Sequence, residues 1–385
     1  MKKRVLFING HLNTGGVERS LVDVLRHMDA SRYELDLMLL QGAGEYAHEV
    51  PSYVHPYIYD LTDTYGPFLQ ALGLSIKKRS LFLFLYRIAV SMGLSARVIQ
   101  LFCKPCHKYY DVVISYRTGQ SNEIGMYYIH ADRRISWWHH GNMNLCDNEK
   151  VKLARQYQQA DYIVSVSESC SAMLRSEFLE SAQKVVTIPN MLCEDEIISK
   201  SSEYTPPMQK KFNIVTVGRL SPEKNMLFCL EVAAKLKSQG MAFHWNIIGE
   251  GEERSRLEQQ MLEMNIADVV TMLGSLPNPY PYVAASDLYF HPSLVESQGL
   301  TMLEAMALKT PVVAVASAGA KEFIKSGQNG ILIEADIIQA VEAIGLLCGS
   351  SGLRKTIIEK GTETTRRFSP FTIMSKIYGI TDLKE

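Results

Sequence analysis

The chain has 385 residues, enough for two or three domains of ordinary size. Its apolar fraction of 46% and charged fraction of 21% are those of a soluble globular protein, so each domain can bury a full core. A formal net charge of −1 excludes the global basic field of a nucleic-acid binder, and no nucleic-acid partner is expected.

The chain opens with an apolar run, Val5–Asn9, that reads as a β-strand. The basic Met1-Lys2-Lys3-Arg4 before it does not make a secretory signal, because the run Val5–Ile8 is too short for an apolar signal core. A glycine-bearing loop follows, ending in Gly15-Gly16. Val17, Leu21, Val24, Leu25 and Met28 then recur at helical spacing. Tyr33–Leu40, Asp111–Ser115, Arg134–Trp138 and Tyr162–Val166 read as further strands.

Between Leu74 and Tyr110 there are seven bases (Lys77, Lys78, Arg79, Arg87, Arg97, Lys104, Lys108) and no acid, interleaved with apolar residues. Such a segment suits an anionic membrane surface; a core-packing helix with a solvated basic face fits as well. Cys103-x-x-Cys106-His107 lacks further ligands at zinc spacing, and the odd total of seven cysteines argues against a disulfide framework. No uninterrupted apolar run approaches the ~18–20 residues of a membrane span. A cytoplasmic location is expected, with a peripheral position on the inner face of the plasma membrane as an option.

The second half alternates more clearly. Strands are expected at Phe212–Val217, Phe243–Ile248, Val269–Met272, Asp287–His291 and Pro311–Val315. Helices are expected at Asn225–Lys237, Glu252–Met264 and Thr301–Leu308. Short apolar strands alternating with helices indicate parallel sheets covered on both faces. The Ser-, Glu- and Lys-rich stretch Glu194–Lys210, with Pro206-Pro207, has the composition of a linker.

Three segments carry the chemistry. In the first, Glu296 and Glu304 lie eight positions apart around Gly299, which immediately precedes an apolar-periodic helix. This places Glu296 in a loop and Glu304 in the helix's second turn. Free N–H groups at that helix start suit phosphate or sugar oxygens, and a carboxylate suits a diol. In the second, Gly218 permits a tight turn, and Arg219 and Lys224 set two cations at the carboxyl end of a strand, where open α/β sheets bind ligands. In isolation either pair would be ordinary surface charge. In the third, Gly15-Gly16 allows close backbone approach. The dinucleotide fingerprint G-x-G-x-x-G is absent: the loop after Asn9 has the wrong spacing, and Gly249-Glu250-Gly251 has Arg254 in the third position.

Together these segments resemble family 4 of the retaining glycosyltransferases, which have the GT-B fold. Glu296 and Glu304 match the family's E-x7-E motif. Gly218-Arg219-Leu220-Ser221-Pro222-Glu223-Lys224-Asn225 matches its G-R-L-x-x-E-K-N loop, and Gly15-Gly16-Val17-Glu18 its G-G-x-E. Ile248–Gly251, Pro311–Ala314, Glu322, Gly327 and Asn329-Gly330 match in order along nearly the whole chain. The departures are Ser297-Gln298 where Gly-Phe is common, and Ala318-Gly319-Ala320 where Gly-Gly is common.

The resemblance implies two Rossmann-like domains facing each other across a cleft. Residues 1–190 would form an acceptor-binding domain, 191–210 a linker, 211–367 a nucleotide-sugar domain, and 368–385 a helix returning to the first domain. It implies that Arg219 and Lys224 hold the diphosphate, that Glu304 binds the ribose and that Glu296 faces the donor sugar. Gln298, Gly299, Leu300 and Thr301 would hold sugar and phosphates, and Gln298 would alter contacts around the sugar. Gly15 and Gly16 would let the acceptor-side domain close over the phosphates, Gly218 would belong to the nucleotide-sugar site, and His140 of Trp138-His139-His140-Gly141 would lie at the cleft, bonding the sugar or positioning the acceptor. The expected donor is a UDP-sugar, with a GDP-sugar next, and the acceptor a saccharide or lipid-linked saccharide of a bacterial surface polysaccharide. No cofactor and no metal are expected. A nucleotide-sugar epimerase and a non-catalytic nucleotide-sugar-binding protein are the competing readings.

Overall fold

The computed structural model describes residues 2–13, 15–59, 84–86, 88–89 and 95–382. The chain divides into two compact units: Met1–His139 with Met143–Pro189 and the chain from Ile373 on, and His140–Asn142 with Asn190–Thr372.

The first unit holds a parallel sheet of β1 (Lys3–Asn9), β2 (Tyr33–Leu39), β3 (Val54–Ile58), β4 (Tyr109–Ser115), β5 (His130–Trp138), β6 (Tyr162–Ser165) and β7 (Val185–Thr187). Its order among the described residues is β3-β2-β1-β4-β5-β6-β7. Val5, Leu6, Phe7 and Ile8 are all fully buried, which is why this strand reads as an unbroken apolar run: helices cover both of its faces. Helix Gly16–His27 turns Leu21, Val22, Val24 and Leu25 inward and leaves its basic last turn, Arg26 and His27, less buried. Helix Pro370–Thr381 begins in the second unit and from Ile373 packs within the first. There Tyr378 stacks on Tyr33 at 5.7 Å, and Asp382 accepts from Tyr33 (2.5 Å) and pairs with Arg32 (2.6 Å).

The second unit holds β8 (Phe212–Val217), β9 (Phe243–Ile248), β10 (Val270–Gly274), β11 (Leu288–His291), β12 (Val312–Val315) and β13 (Ile331–Ile333). These run parallel in the order β10-β9-β8-β11-β12-β13. Alternate residues feed two cores. Ile214, Trp245, Ile247, Leu288, Phe290 and Val313 face helices Met226–Ser238 and Ile337–Gly349. Val215, Ile248, Tyr289, Val312 and Ala314 face helices Glu194–Ser201 and Leu300–Ala307. That is the strand's two-residue period made visible.

One reading needs correction. The stretch 191–210 is not a separate linker. Residues 194–201 form a helix whose first turn (Glu194, Asp195, Glu196) suits the positive end of the helix dipole. Leu192 and Ile197 are buried in the second unit's core, so apolar contacts outweigh the polar composition. The basic stretch 74–110 is only partly describable: residues 74–83, 87 and 90–94 lie outside the described residues. In the remainder, Tyr86, Ile99, Cys103, Cys106 and Tyr110 join one core of the first unit. Lys108 donates to the Tyr57 hydroxyl (2.6 Å) and pairs with the buried Asp36 (3.0 Å). Burial pushes the Cys103 and Cys106 thiols up to about 12 and about 11, with the Cys106 thiol adding to the effect on Cys103, so they are packing groups. Among the described residues, no helix is long and apolar enough to cross a membrane.

Candidate active site

In the second sheet the chain leaves β8 toward β9 on one side and reaches β11 on the other. The carboxyl ends of β8 and β11 therefore flank the topological switch point, where open α/β sheets bind ligands. Both chemistry-bearing loops start there.

The first loop begins at Gly218, whose N–H donates to the Ile248 carbonyl at 3.0 Å. Leu220 N–H donates to the Glu250 carbonyl at 2.9 Å. A Cβ on Gly249 would overlap the Gly218 carbonyl oxygen, and one on Gly251 the Leu220 carbonyl oxygen. Gly249-Glu250-Gly251 thus serves close approach of two strand-end loops, which explains a G-x-G without a dinucleotide fingerprint. Arg219 points outward and is exposed. A short turn, Pro222–Lys224, leads into Asn225 in the left-handed region (φ 53°).

The second loop, 292–299, is stitched to the first. Leu294 N–H donates to the Glu223 carbonyl (3.1 Å) and Asn225 Nδ2 to the Pro292 carbonyl (3.4 Å). At the centre, Lys224 Nζ lies 2.5 Å from Glu296 Oε1. The same oxygen lies 3.0 Å from His291 Nε2 at the end of β11. The Glu296 carbonyl accepts the Gly319 N–H (3.2 Å), and a Cβ on either Gly319 or Gly141 would come within 2.9 Å of the Glu296 peptide. Gly319 therefore retains the close approach expected of a glycine pair at 318–320.

Burial pushes the Glu296 carboxyl up, but the hydrogen bond from His291, joined by the Lys224 ammonium, outweighs it and brings the group down to about 2. A folded value below the unfolded one means the stabilisation is complete above pH ~4.5 and is lost as pH falls toward about 2. Urea unfolding of wild type and Glu296→Gln is expected to show the wild type losing ground to the variant across this window. Parallel pH curves would remove the ion-pair explanation.

Helix Leu300–Ala307 starts from Gly299, whose φ of 82° favours glycine at this cap. Its first-turn N–H groups, including those of Leu300 and Thr301, point out of the strand ends. Glu304 lies in the second turn, half-buried, and Oε1 accepts the Tyr280 hydroxyl at 3.1 Å. Gln298 needs correction. It is 2% exposed; its Oε1 accepts the Asn190 N–H (2.7 Å) and its Nε2 donates to the Asn190 carbonyl (3.1 Å). Its side chain therefore fastens Asn190, and any ligand contact it makes comes from the backbone.

Gly15 and Gly16 lie at the carboxyl end of β1, in the first unit. Gly15 has an extended backbone (φ 176°), and a Cβ there would meet the Glu18 carboxylate. Glu18 is buried and pairs with Arg117 at 3.1 Å, just after β4. His139 is buried against Tyr116 (4.8 Å) and Trp137 (6.1 Å), whereas His140 is exposed and groups with the second unit next to Gly141. The sequence singles out Arg219, Lys224, Glu296 and Glu304; the structure adds His291 beside Glu296 and Tyr280 beside Glu304. The signal for His291 was a histidine ending an apolar strand five positions before Glu296. For Tyr280 there was none. Among the described residues, no three His, Cys, Asp or Glu side chains cluster as metal ligands do.

Residues 199–364 match the family model described as glycosyl transferases group 1. That match lies within the second unit. Over 253 residues the chain is 26% identical to an uncharacterized glycosyltransferase of Haemophilus influenzae, covering 64% of this chain and 67% of that one. Over 226 residues it is 26% identical to a Campylobacter jejuni protein named as an N-acetylgalactosaminyltransferase acting on a diphospho-undecaprenol saccharide, covering 58% and 60%. The matched stretch spans less than half the length of several other curated relatives. The chain shares the fold of Anabaena HepE, solved with UDP: 20% identity, TM-score 0.72, covering 98% of this chain and 99% of that one. The fold is GT-B, with two parallel-sheet α/β domains.

Proposed function

We propose that the chain is a retaining family 4 glycosyltransferase. It would move a sugar from a nucleotide-sugar, a UDP-sugar first and a GDP-sugar next, to a saccharide or lipid-linked acceptor in bacterial surface polysaccharide synthesis. One observation carries the reading. At the switch point of the second sheet, Lys224 meets Glu296 in the loop before a helix N-terminus, with Glu304 in that helix's second turn and Arg219 exposed on the loop that carries Lys224. Two cations neutralise a diphosphate without a metal, the helix N–H groups add to them, and Glu304 offers a diol two acceptor oxygens. The relatives support the acceptor class: the C. jejuni protein is named for a diphospho-undecaprenol acceptor, and a Salmonella typhimurium relative for colanic acid biosynthesis. HepE, solved with UDP, supports the uracil base.

In this reading the bond from the anomeric carbon to the β-phosphate oxygen breaks with its electron pair on that oxygen. Arg219, Lys224 and the helix amides stabilise the charge that develops. The acceptor hydroxyl attacks the same face, and its proton passes to the departing oxygen.

The test is thermal stability with UDP, GDP, ADP and CMP in EDTA, on wild type and Glu304→Ala. A ligand at 100 times its dissociation constant adds ~2.7 kcal/mol. UDP is expected to stabilise wild type strongly and Glu304→Ala weakly. Equal shifts in the two would sink the ribose role of Glu304, and no shift with any nucleotide would sink the donor reading. Product analysis then separates transfer from epimerisation, since an epimerase isomerises the donor with no acceptor present.

A further inference from the structure

Three groups meet at one atom. Glu296 Oε1 lies between the Lys224 ammonium and His291 Nε2, with the Glu296 side chain 10% and the His291 side chain 4% exposed. Nδ1 of His291 is buried and has no hydrogen-bond partner among the described residues. A ring nitrogen without an acceptor is better left unprotonated, which places the proton on Nε2 and makes His291 a donor to Glu296. The two partners of Glu296 are mechanically different. His291 ends a buried strand and stacks near Tyr289, at 6.1 Å between centroids. Lys224 is a flexible ammonium at the end of a short turn, able to redirect its donors.

If Lys224 meets a diphosphate, as the donor reading above requires, two anions compete for one ammonium. A buried carboxylate that loses its only partner is strongly disfavoured, so Glu296 alone would keep Lys224 locked. We propose that Lys224 passes from Glu296 to the donor diphosphate, and that His291 is the positioning residue that holds the Glu296 carboxylate once Lys224 has left it.

The test is calorimetric titration of the full chain with UDP, for wild type, His291→Leu, His291→Gln, Glu296→Gln and the double variant His291→Leu/Glu296→Gln. His291→Leu removes the donor and is expected to weaken UDP binding about 10-fold or more, because the released carboxylate is left without a partner. His291→Gln, which keeps an N–H at a similar reach, is expected to retain wild-type affinity. Glu296→Gln leaves no charge to strand, so it binds UDP at least as tightly as wild type, and the double variant matches it. A purely structural histidine would leave the double variant as weak as His291→Leu. Should His291→Leu fail to fold, His291→Asn, whose amide is too short to reach Oε1, takes its place with the same expectation. Wild-type affinity in His291→Leu, or no rescue by Glu296→Gln, overturns the proposal while the donor reading stands. Wild type that binds none of UDP, GDP and ADP overturns the donor reading and this proposal with it.

Discussion

Lys224→Ala is expected to lower the transfer rate about 10²–10³-fold, the usual effect of removing one fixed stabiliser of a charge that develops in the transition state. Three features of its setting make Lys224 the more sensitive of the two cations. Its side chain is 19% exposed, so its field is less screened than that of the exposed Arg219. It sits on a turn fixed by Asn225 in the left-handed region and sewn to the 292–299 loop through Glu223 and Asn225. It also balances Glu296, so the variant leaves that carboxylate relying on His291. The measurement is steady-state turnover with the nucleotide-sugar that stabilises the wild type, alongside the thermal midpoint. Turnover within a few-fold of wild type would remove Lys224 from the chemistry. A loss of turnover that tracks a collapse in stability would assign it a structural part instead. Lys224→Arg is a useful companion: the planar guanidinium keeps the charge but not the compact geometry, so it is expected to recover only part of the rate.

Trp245→Ala is expected to destabilise the protein by about 3–5 kcal/mol, the range for deleting a large aromatic from a packed core. Trp245 is fully buried on β9, meets Phe290 edge-on at 5.1 Å, and donates its Nε1–H to Thr216 Oγ1 at 3.1 Å. The Thr216 hydroxyl in turn donates to the Phe290 carbonyl at 2.7 Å. Thr216 and Phe290 belong to β8 and β11, whose ends carry Gly218 and His291. The indole therefore braces the two strands that present the site. Urea unfolding checks the stability, and UDP titration of the folded fraction checks the site. In a unit of this size the loss corresponds to a midpoint lower by roughly 10 °C. A loss under about 1.5 kcal/mol, the cost of a volume-conserving swap, would mean that the core closes around the gap. Trp245→Phe keeps most of the volume but not the hydrogen bond, and is expected to fall between the two.

The sequence by itself determined which segments are strands and helices in the second unit. β8, β9 and β11 fall within a residue of their apolar runs, because a strand buried on both faces must be continuously apolar and short. It also determined the placement of Glu296 in a loop and Glu304 in a second helical turn. That placement follows from Gly299 and the 3.6-residue period, which are local properties. The tertiary structure decided what touches what. Lys224 and Glu296 are 72 positions apart and meet because β8 pairs with β11 rather than with β10. Strand order is a long-range choice that no local period encodes, so His291 as the second partner of Glu296 was not legible beforehand. The same reason explains Gln298: a polar residue in a polar loop reads as ligand-facing, yet two backbone groups of Asn190, 108 positions away, turn it inward. It explains residues 191–210 as well. Their composition is that of a linker, but Leu192 and Ile197 find a core built by strands far along the chain, and the apolar area they bury there outweighs what their neighbours gain from solvent.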